Sequence, residues 1–172
     1  VFLDSSGRPV RDAVIWMDIR AAIEAEEVAA TGDPALDYVG HGNVSPEWFP
    51  CKVAWVKRHE PEVWAASRTV FEFTDWLAWR LTGERTVSID TATIRWFYNA
   101  RRGGFPLPLY RKMGLEDVFA KIPERIVKIG EAVGGLSPEM ALATGLPAGI
   151  PVAGGGADAY MGVIGINALA PG

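Results

Sequence analysis

An α/β fold is predicted for this 172-residue chain from three observations. Short apolar runs alternate with segments that carry helix start and stop signals. Glycine- and proline-rich breaks punctuate them at short intervals. No repeat, low-complexity tract or long linker interrupts the alternation, as expected of strands and helices sharing a core. The composition agrees: 49% hydrophobic and 22% charged residues are ordinary for a globular protein.

The elements follow in order. Residues 1–3 (VFL), a turn over 4–8 and residues 13–16 (AVIW) read as a hairpin. Asp18 is placed as the cap of a helix over 19–31 that stops at Gly32. Ser45-Pro46-Glu47 is a second helix start, with Ser as cap and Pro at the first helical position. Phe49, Val53 and Val56 repeat at i, i+4 and i+7 beside Trp48 and Trp55, a core-facing stripe that ends before Pro61. Residues 70–73 (VFEF) read as a buried strand, and Thr74 as the cap of a short helix over 75–81 closed by Gly83. Residues 86–98 fit strand and helix alike, until Gly103-Gly104 breaks the pattern after the solvated pair Arg101-Arg102. Short helices are expected over 109–113 and 116–120. Ser137-Pro138-Glu139 repeats the helix start, Gly145 stops that helix, and residues 149–153 form a strand. Most of the seven tryptophans are expected in the core.

Charge and composition narrow the function. A net charge of −4 gives no electrostatic basis for binding nucleic acid or an anionic membrane. No apolar run approaches the roughly 20 residues of a spanning helix. The single cysteine, Cys51, excludes an internal disulfide and a thiolate-rich metal site, and a reducing, cytoplasmic setting is expected. His41 and His59 are too few for most histidine metal sites and read as surface or loop residues.

The stretch "PVAGGGADAYMGVIG", residues 151–165, concentrates the chemistry. Gly154-x-Gly156-x-x-Ala159 fits the dinucleotide pattern G-x-G-x-x-G/A. However, the acidic residue about 20 positions on would fall past residue 172, and that pattern belongs in the first βα unit of its domain. A Walker A loop is excluded, because no Lys-Ser/Thr follows the glycines. Two readings stay open on the residues alone. Asp158 caps the next helix on a tight glycine turn, or it is a carboxylate presented on bare backbone to take a proton from a substrate hydroxyl in phosphoryl transfer.

Four segments resemble, in order, the FGGY family of carbohydrate kinases. "AVIWMDIRA" (13–21) is similar to the family's Trp-x-Asp-x-Arg segment, and "SPEWFPCKVAWVKRHEPEVW" (45–64) to its Lys-x-x-Trp segment. "FTDWLAWRLTG" (73–83) resembles its Leu-Thr-Gly helix, and "GLSPEMALATGLPAGIPVAGGGADAYMGVIG" (135–165) looks like the end of its N-terminal domain. The resemblance implies a ribonuclease H-like (actin-like ATPase) fold, with this chain a partial N-terminal lobe of a two-lobe sugar kinase. Residues 1–165 would be that domain, incomplete at its start, and 166–172 the start of the connection to a C-terminal domain. The opening on Val1 without Met reads the same way, as a piece of a longer chain.

By the same resemblance Asp158 is the general base and Trp16 walls the sugar site, offering its indole face to the C–H face of a sugar. Gly155, Gly156 and Ala157 lie where substrate approaches the backbone, and Asp18 stands beside it, braced with Arg20. "TATIRWFYNARRGGF" (91–105) resembles the subgroup acting on ribulose and ribitol-like substrates, with Arg95 where that subgroup has Lys. The swap replaces a compact ammonium with a planar fork. Glu47 falls where relatives place a substrate-contacting side chain, and equally where a helix takes an acid in its first turn. The implied cofactors of the full-length enzyme are ATP and Mg²⁺. The implied partner is a small sugar or polyol, a pentulose or pentitol, with no nucleic acid and no membrane, and a homodimer is compatible. Most of the ATP site is expected outside these residues, so the isolated chain is expected to be inactive. The other reading on the same fold is a non-catalytic sugar-binding or regulatory relative, against which Asp158 speaks.

Overall fold

The computed structural model describes residues 1–168; residues 169–172, part of the expected connection, lie outside the described residues. The strands are β1 (Phe2–Leu3), β2 (Thr69–Val70), β3 (Val87–Ser88), β4 (Ile126–Val127), β5 (Ala132–Gly135) and β6 (Pro151–Ala153). The helices are α1 (Ala22–Ala30), α2 (Phe49–His59), α3 (Pro61–Ala66), α4 (Phe73–Thr82), α5 (Ile89–Trp96), α6 (Leu107–Lys112), α7 (Pro138–Thr144) and α8 (Asp158–Gly165). Two units result: residues 1–71 with 92–122, and residues 72–91 with the chain from 123 onward.

In the first unit β1 pairs antiparallel with β2, Phe2 opposite Val70, and Leu3 also bridges Pro9. Asp4 Oδ1 closes the predicted turn by accepting the Ser6 and Arg8 amides at 2.8 and 3.0 Å. The return strand expected over 13–16 does not form. Pro9 has no N–H with which to carry a ladder onward, and Ile15 and Trp16 emerge exposed. Asp18 does not cap α1, whose N-cap is Ala21. Its carboxylate instead accepts the Arg20 amide at 3.0 Å and the Arg20 Nε at 2.9 Å. The helix expected from Ser45 starts later, at Phe49. A helix running from Pro46 would need an N–H at Pro50, and that ring would strike the carbonyl of Pro46.

From Phe49 on the expected stripe is buried: Phe49, Val53 and Val56 lie inside, and α2 packs on α1 and α3. Each such side chain contributes about 1.5–3 kcal/mol of burial. Phe49 stacks on Trp96 with ring centroids 4.0 Å apart, and the Tyr110 hydroxyl donates to the Trp96 carbonyl at 3.0 Å. Only Trp64 and Trp96 of the seven tryptophans are buried, against the expectation that most would be.

In the second unit α4 begins at Phe73 with Glu72 at its N-cap, so of the strand expected over 70–73 only Val70 is in a strand, the buried β2, and the Thr74 cap does not hold. Gly83 closes α4 at φ 82°, as its sequence position predicts. The ambiguous segment contains both elements: β3 leads directly into α5. β3 pairs in parallel with β4, and β5 pairs antiparallel with β6. β4 and β5 were not foreseen. Ser137 caps α7 by accepting the Met140 amide at 3.3 Å, and Gly145 ends it at φ 74°. Among the described residues no helix is long and apolar enough to cross a membrane.

Candidate active site

The glycine stretch lies wholly in the second unit, between β6 and α8. Each glycine has a different reason to be one. Gly154, directly after β6, is buried against the turn that follows β4: its N–H donates to the Glu131 carbonyl at 2.8 Å, and its carbonyl accepts the Gly130 amide at 2.9 Å. A Cβ there would stand 2.8 Å from the Lys128 carbonyl oxygen. Gly155 faces open space, and its carbonyl accepts the Ser88 hydroxyl. Gly156 lies against Asp90: a Cβ would come within 2.6 Å of the Asp90 Cγ and 2.8 Å of its Cβ. The Ala157 amide donates to Asp90 Oδ2 at 2.8 Å. The bare backbone sought in both Gly155 and Gly156 is therefore found at Gly155, beside a cavity of about 230 Å³ that Asp75, Ser88 and Met161 also line.

Asp158 is the first residue of α8, is exposed, and accepts the Ala159 amide at 2.8 Å. It does not cap α8, because Ala157 occupies that position and Asp90 accepts the Ala157 amide. The capping alternative for Asp158 thus falls. The dinucleotide reading falls with it, since β6 pairs antiparallel with β5 and the pattern belongs to a parallel βαβ unit.

Ser88, Asp90, Thr91 and Asp75 escaped the sequence reading. Ser88 is the end of β3 and Asp90 the second residue of α5. Asp75 Oδ1 accepts the Ser88 amide at 2.8 Å and its Oδ2 meets the Thr91 hydroxyl at 3.0 Å. All four are buried. Burial pushes the Asp75 carboxyl up to about 7, against the hydrogen bonds from Ser88 and Thr91 that pull it down. Polar residues interleaved with apolar ones at a strand-to-helix junction were the one available signal.

The remaining candidates lie in the first unit, around α2. Trp16 is 66% exposed on the irregular segment after the turn. That segment is pinned by Lys52 of α2, which donates to the Ile15 carbonyl at 2.8 Å. It is pinned again by Asp18–Arg20, with the guanidinium 4.7 Å from the ring centroid of Trp55. The bonds from Arg20 hold the Asp18 carboxyl below the usual range. Glu47 precedes α2, and its Oε2 stands 3.4 Å from the Arg95 Nη1, with the Glu47 carbonyl at 3.3 Å from the same nitrogen. Glu47 and Arg95 are thus brought together, both partly exposed.

Comparison with known proteins gives the class first. The fold is that of sugar kinases of the actin-like ATPase type. The xylulose kinase of Rhodospirillum rubrum superposes with a TM-score of 0.86 at 29% identity, covering 100% of this chain and 35% of that one. The family follows from sequence. Residues 1–165 match the N-terminal domain of the FGGY family of carbohydrate kinases, and the chain belongs to that family. A FGGY carbohydrate kinase domain-containing protein of Xenopus laevis is 33% identical over 170 residues. A ribulokinase of Mycolicibacterium smegmatis is 35% identical over 176 residues. These alignments cover 95% and 96% of this chain but 30% of each relative, so the chain spans about a third of the length of the curated relatives it matches.

Proposed function

We propose that this chain is part of a kinase that phosphorylates a hydroxyl of a small sugar or polyol, a pentulose or pentitol, with Asp158 as general base. The observation that carries the proposal is the exposed Asp158 carboxylate at the start of α8, on a loop whose own polar groups are held by Ser88 and Asp90. An Asp158 oxygen takes the proton of a substrate hydroxyl at a reach of about 2.6–3.2 Å and so frees that oxygen to act as the nucleophile. Trp16 gives the sugar an apolar wall and an N–H donor. Arg95, with Glu47 against it, offers a planar donor fork for hydroxyls. Kinases named for ribulose and xylulose among the relatives support the five-carbon class.

ATP and Mg²⁺ complete the proposed reaction, in a cytoplasmic setting, with most of their site expected outside these residues. Residues 151–165 contain no Lys or Arg, and the Ala157 amide is already bonded. No step is therefore routed through the nucleotide here, and the isolated 172-residue chain is expected not to turn over.

The test is sugar-dependent ADP release by a protein of the relatives' full length carrying these residues. D-ribulose, L-ribulose, D-xylulose, ribitol, xylitol, erythritol and glycerol form the panel. Activity with a five-carbon member, reduced about 10²- to 10⁴-fold by Asp158→Asn, is the expected result. Full activity in Asp158→Asn overturns the base assignment. Silence across the panel from a folded protein favours the non-catalytic reading.

A further inference from the structure

Asp90 has no part in the chemistry proposed above, yet it and its neighbour Ser88 hold three consecutive residues that lead into Asp158. The Ser88 hydroxyl donates to the Gly155 carbonyl and accepts the Asp90 amide at 3.2 Å. The Asp90 carboxylate fills the space where any side chain at residue 156 would sit. From there it accepts the Ala157 amide at 2.8 Å. Asp90 is only 8% exposed, and it reaches this loop from 67 residues earlier in the chain. The N-terminal amides of a helix have no partner within the helix and favour an adjacent carboxylate. Here that carboxylate comes from another helix, α5, so α8 starts in one place and in one direction.

We infer that Asp90 is a positioning residue for Asp158. By accepting the Ala157 N–H it fixes the first turn of α8, and with it the direction in which the Asp158 side chain leaves the backbone. Gly156 is the other half of the device, because only a residue without Cβ lets the carboxylate come that close. The inference rests on the reading of Asp158 as the base. It separates two kinetic effects. The substrate-holding candidates Trp16, Glu47 and Arg95 lie in the other unit and share no hydrogen bond with Asp90 among those described. Loosening the loop therefore acts on the proton-transfer step without touching the side chains of Trp16, Glu47 and Arg95. Asparagine presents the same acceptor oxygen and keeps the bond, whereas alanine cannot.

The experiment uses the full-length protein and the variants Asp90→Ala, Asp90→Asn, Asp158→Asn and Asp90→Ala/Asp158→Asn. It reads kcat and KM for the accepted pentulose, together with amide hydrogen exchange across residues 151–160. Asp90→Ala is expected to lower kcat about 10- to 100-fold with KM within about twofold, and to speed exchange at the Ala157 amide. Asp90→Asn should recover kcat to within about threefold of the parent. In the Asp158→Asn background Asp90→Ala should cost nothing further, because the group it positions is gone. Unchanged kcat and exchange in Asp90→Ala, with activity lost in Asp158→Asn, overturns the inference and leaves the base assignment standing. Retained activity in Asp158→Asn overturns both, and the exchange data alone then report whether the loop anchor exists. If Asp90→Ala does not fold, Gly156→Ala displaces the same carboxylate without altering it. It must show the same kcat-only loss, and an unchanged kcat refutes the positioning role.

Discussion

The segment that carries Trp16 and the loop that leads into Asp158 are held by opposite means. Residues 13–20 are pinned at the surface by charge: Asp18 to Arg20, Arg20 over Trp55, and Lys52 to the Ile15 carbonyl. Residues 154–157 are held from beneath by neutral and acidic groups in the interior, Ser88 and Asp90, with Asp75 bonded to Ser88 behind them. Among the described residues no Lys or Arg pairs with Asp75 in an ion pair. The two carboxyls beneath these loops accordingly move in opposite directions, Asp18 down and Asp75 up. The surface segment is strengthened by ionisation and screened by salt. Behind the interior loop, the Asp75 carboxyl is favoured in its neutral form.

The sharpest way to break this contrast is pH. Asp75 has a folded value of about 7 against 3.8 for an exposed carboxyl. A group raised on folding contributes its stability in full below the unfolded value and loses it as pH rises through the folded one. The loss from Asp75 between pH 4 and pH 7.5 is on the order of 4 kcal/mol at most. The neutral form also suits the geometry. With a proton on Oδ2, Asp75 donates to the Thr91 oxygen, and the Thr91 hydroxyl is free for the Ser88 carbonyl at 3.0 Å. Asp75→Asn reproduces that pattern at every pH. Urea unfolding at pH 4.5 and pH 8 should therefore show Asp75→Asn gaining on the parent as pH rises, by about 1.4 kcal/mol per pH unit at the steepest. An equal pH slope in both proteins would place the interior loop under the same charge-based regime as residues 13–20.

Adjacent glycines give the next largest effect. Gly156→Ala drives a methyl into Asp90, which is buried and bonded on both sides, at a cost of about 1–3 kcal/mol. Gly155→Ala meets nothing within 4 Å at a φ that is not left-handed, and should be neutral or stabilise by about 0.4–1 kcal/mol through the unfolded chain. Thermal denaturation of the two single variants decides it. Equal costs would mean that the whole loop, and not one contact with Asp90, excludes side chains. In Gly156→Ala, adding Asp90→Ala should recover part of the loss, since the two substitutions share one space.

Much of this arrangement was legible where a single residue sets a local rule. Ser137 and Gly145 bound α7, Gly83 closes α4 and Pro61 ends α2 because caps, positive φ and the missing proline N–H act over a few residues. Local rules fail where two compete. Ser45-Pro46-Glu47 reads as a helix start, but Pro50 overrides it four residues on. Residues 13–16 read as a strand from their apolar content, but no partner strand pairs with them among the described residues. Least legible is whatever comes from far along the chain. β1 finds its partner in β2, and the glycine loop finds its anchor in Asp90. The glycines announced that something approaches the backbone closely, yet not that at Gly156 the approaching group is the protein's own carboxylate.

Trp16 provides the smallest expected change in stability and the cleanest test of how the surface segment works. With 66% of its area exposed, Trp16→Ala should shift unfolding by about 0.5 kcal/mol or less, whereas a buried tryptophan would cost about 3–5 kcal/mol. Asp18→Ala should cost about 0.2–1 kcal/mol at low ionic strength and less in salt, as expected of a surface pair. If Trp16 exists to meet a sugar, Trp16→Ala must weaken pentulose binding, read as KM or by calorimetry on the full-length protein, while leaving the melting temperature in place. If stability falls with affinity, the tryptophan belongs to the fold of the segment. If neither changes, an indole that the chain holds out to solvent on three surface contacts has no sugar to meet, and the Trp16 wall must be given up.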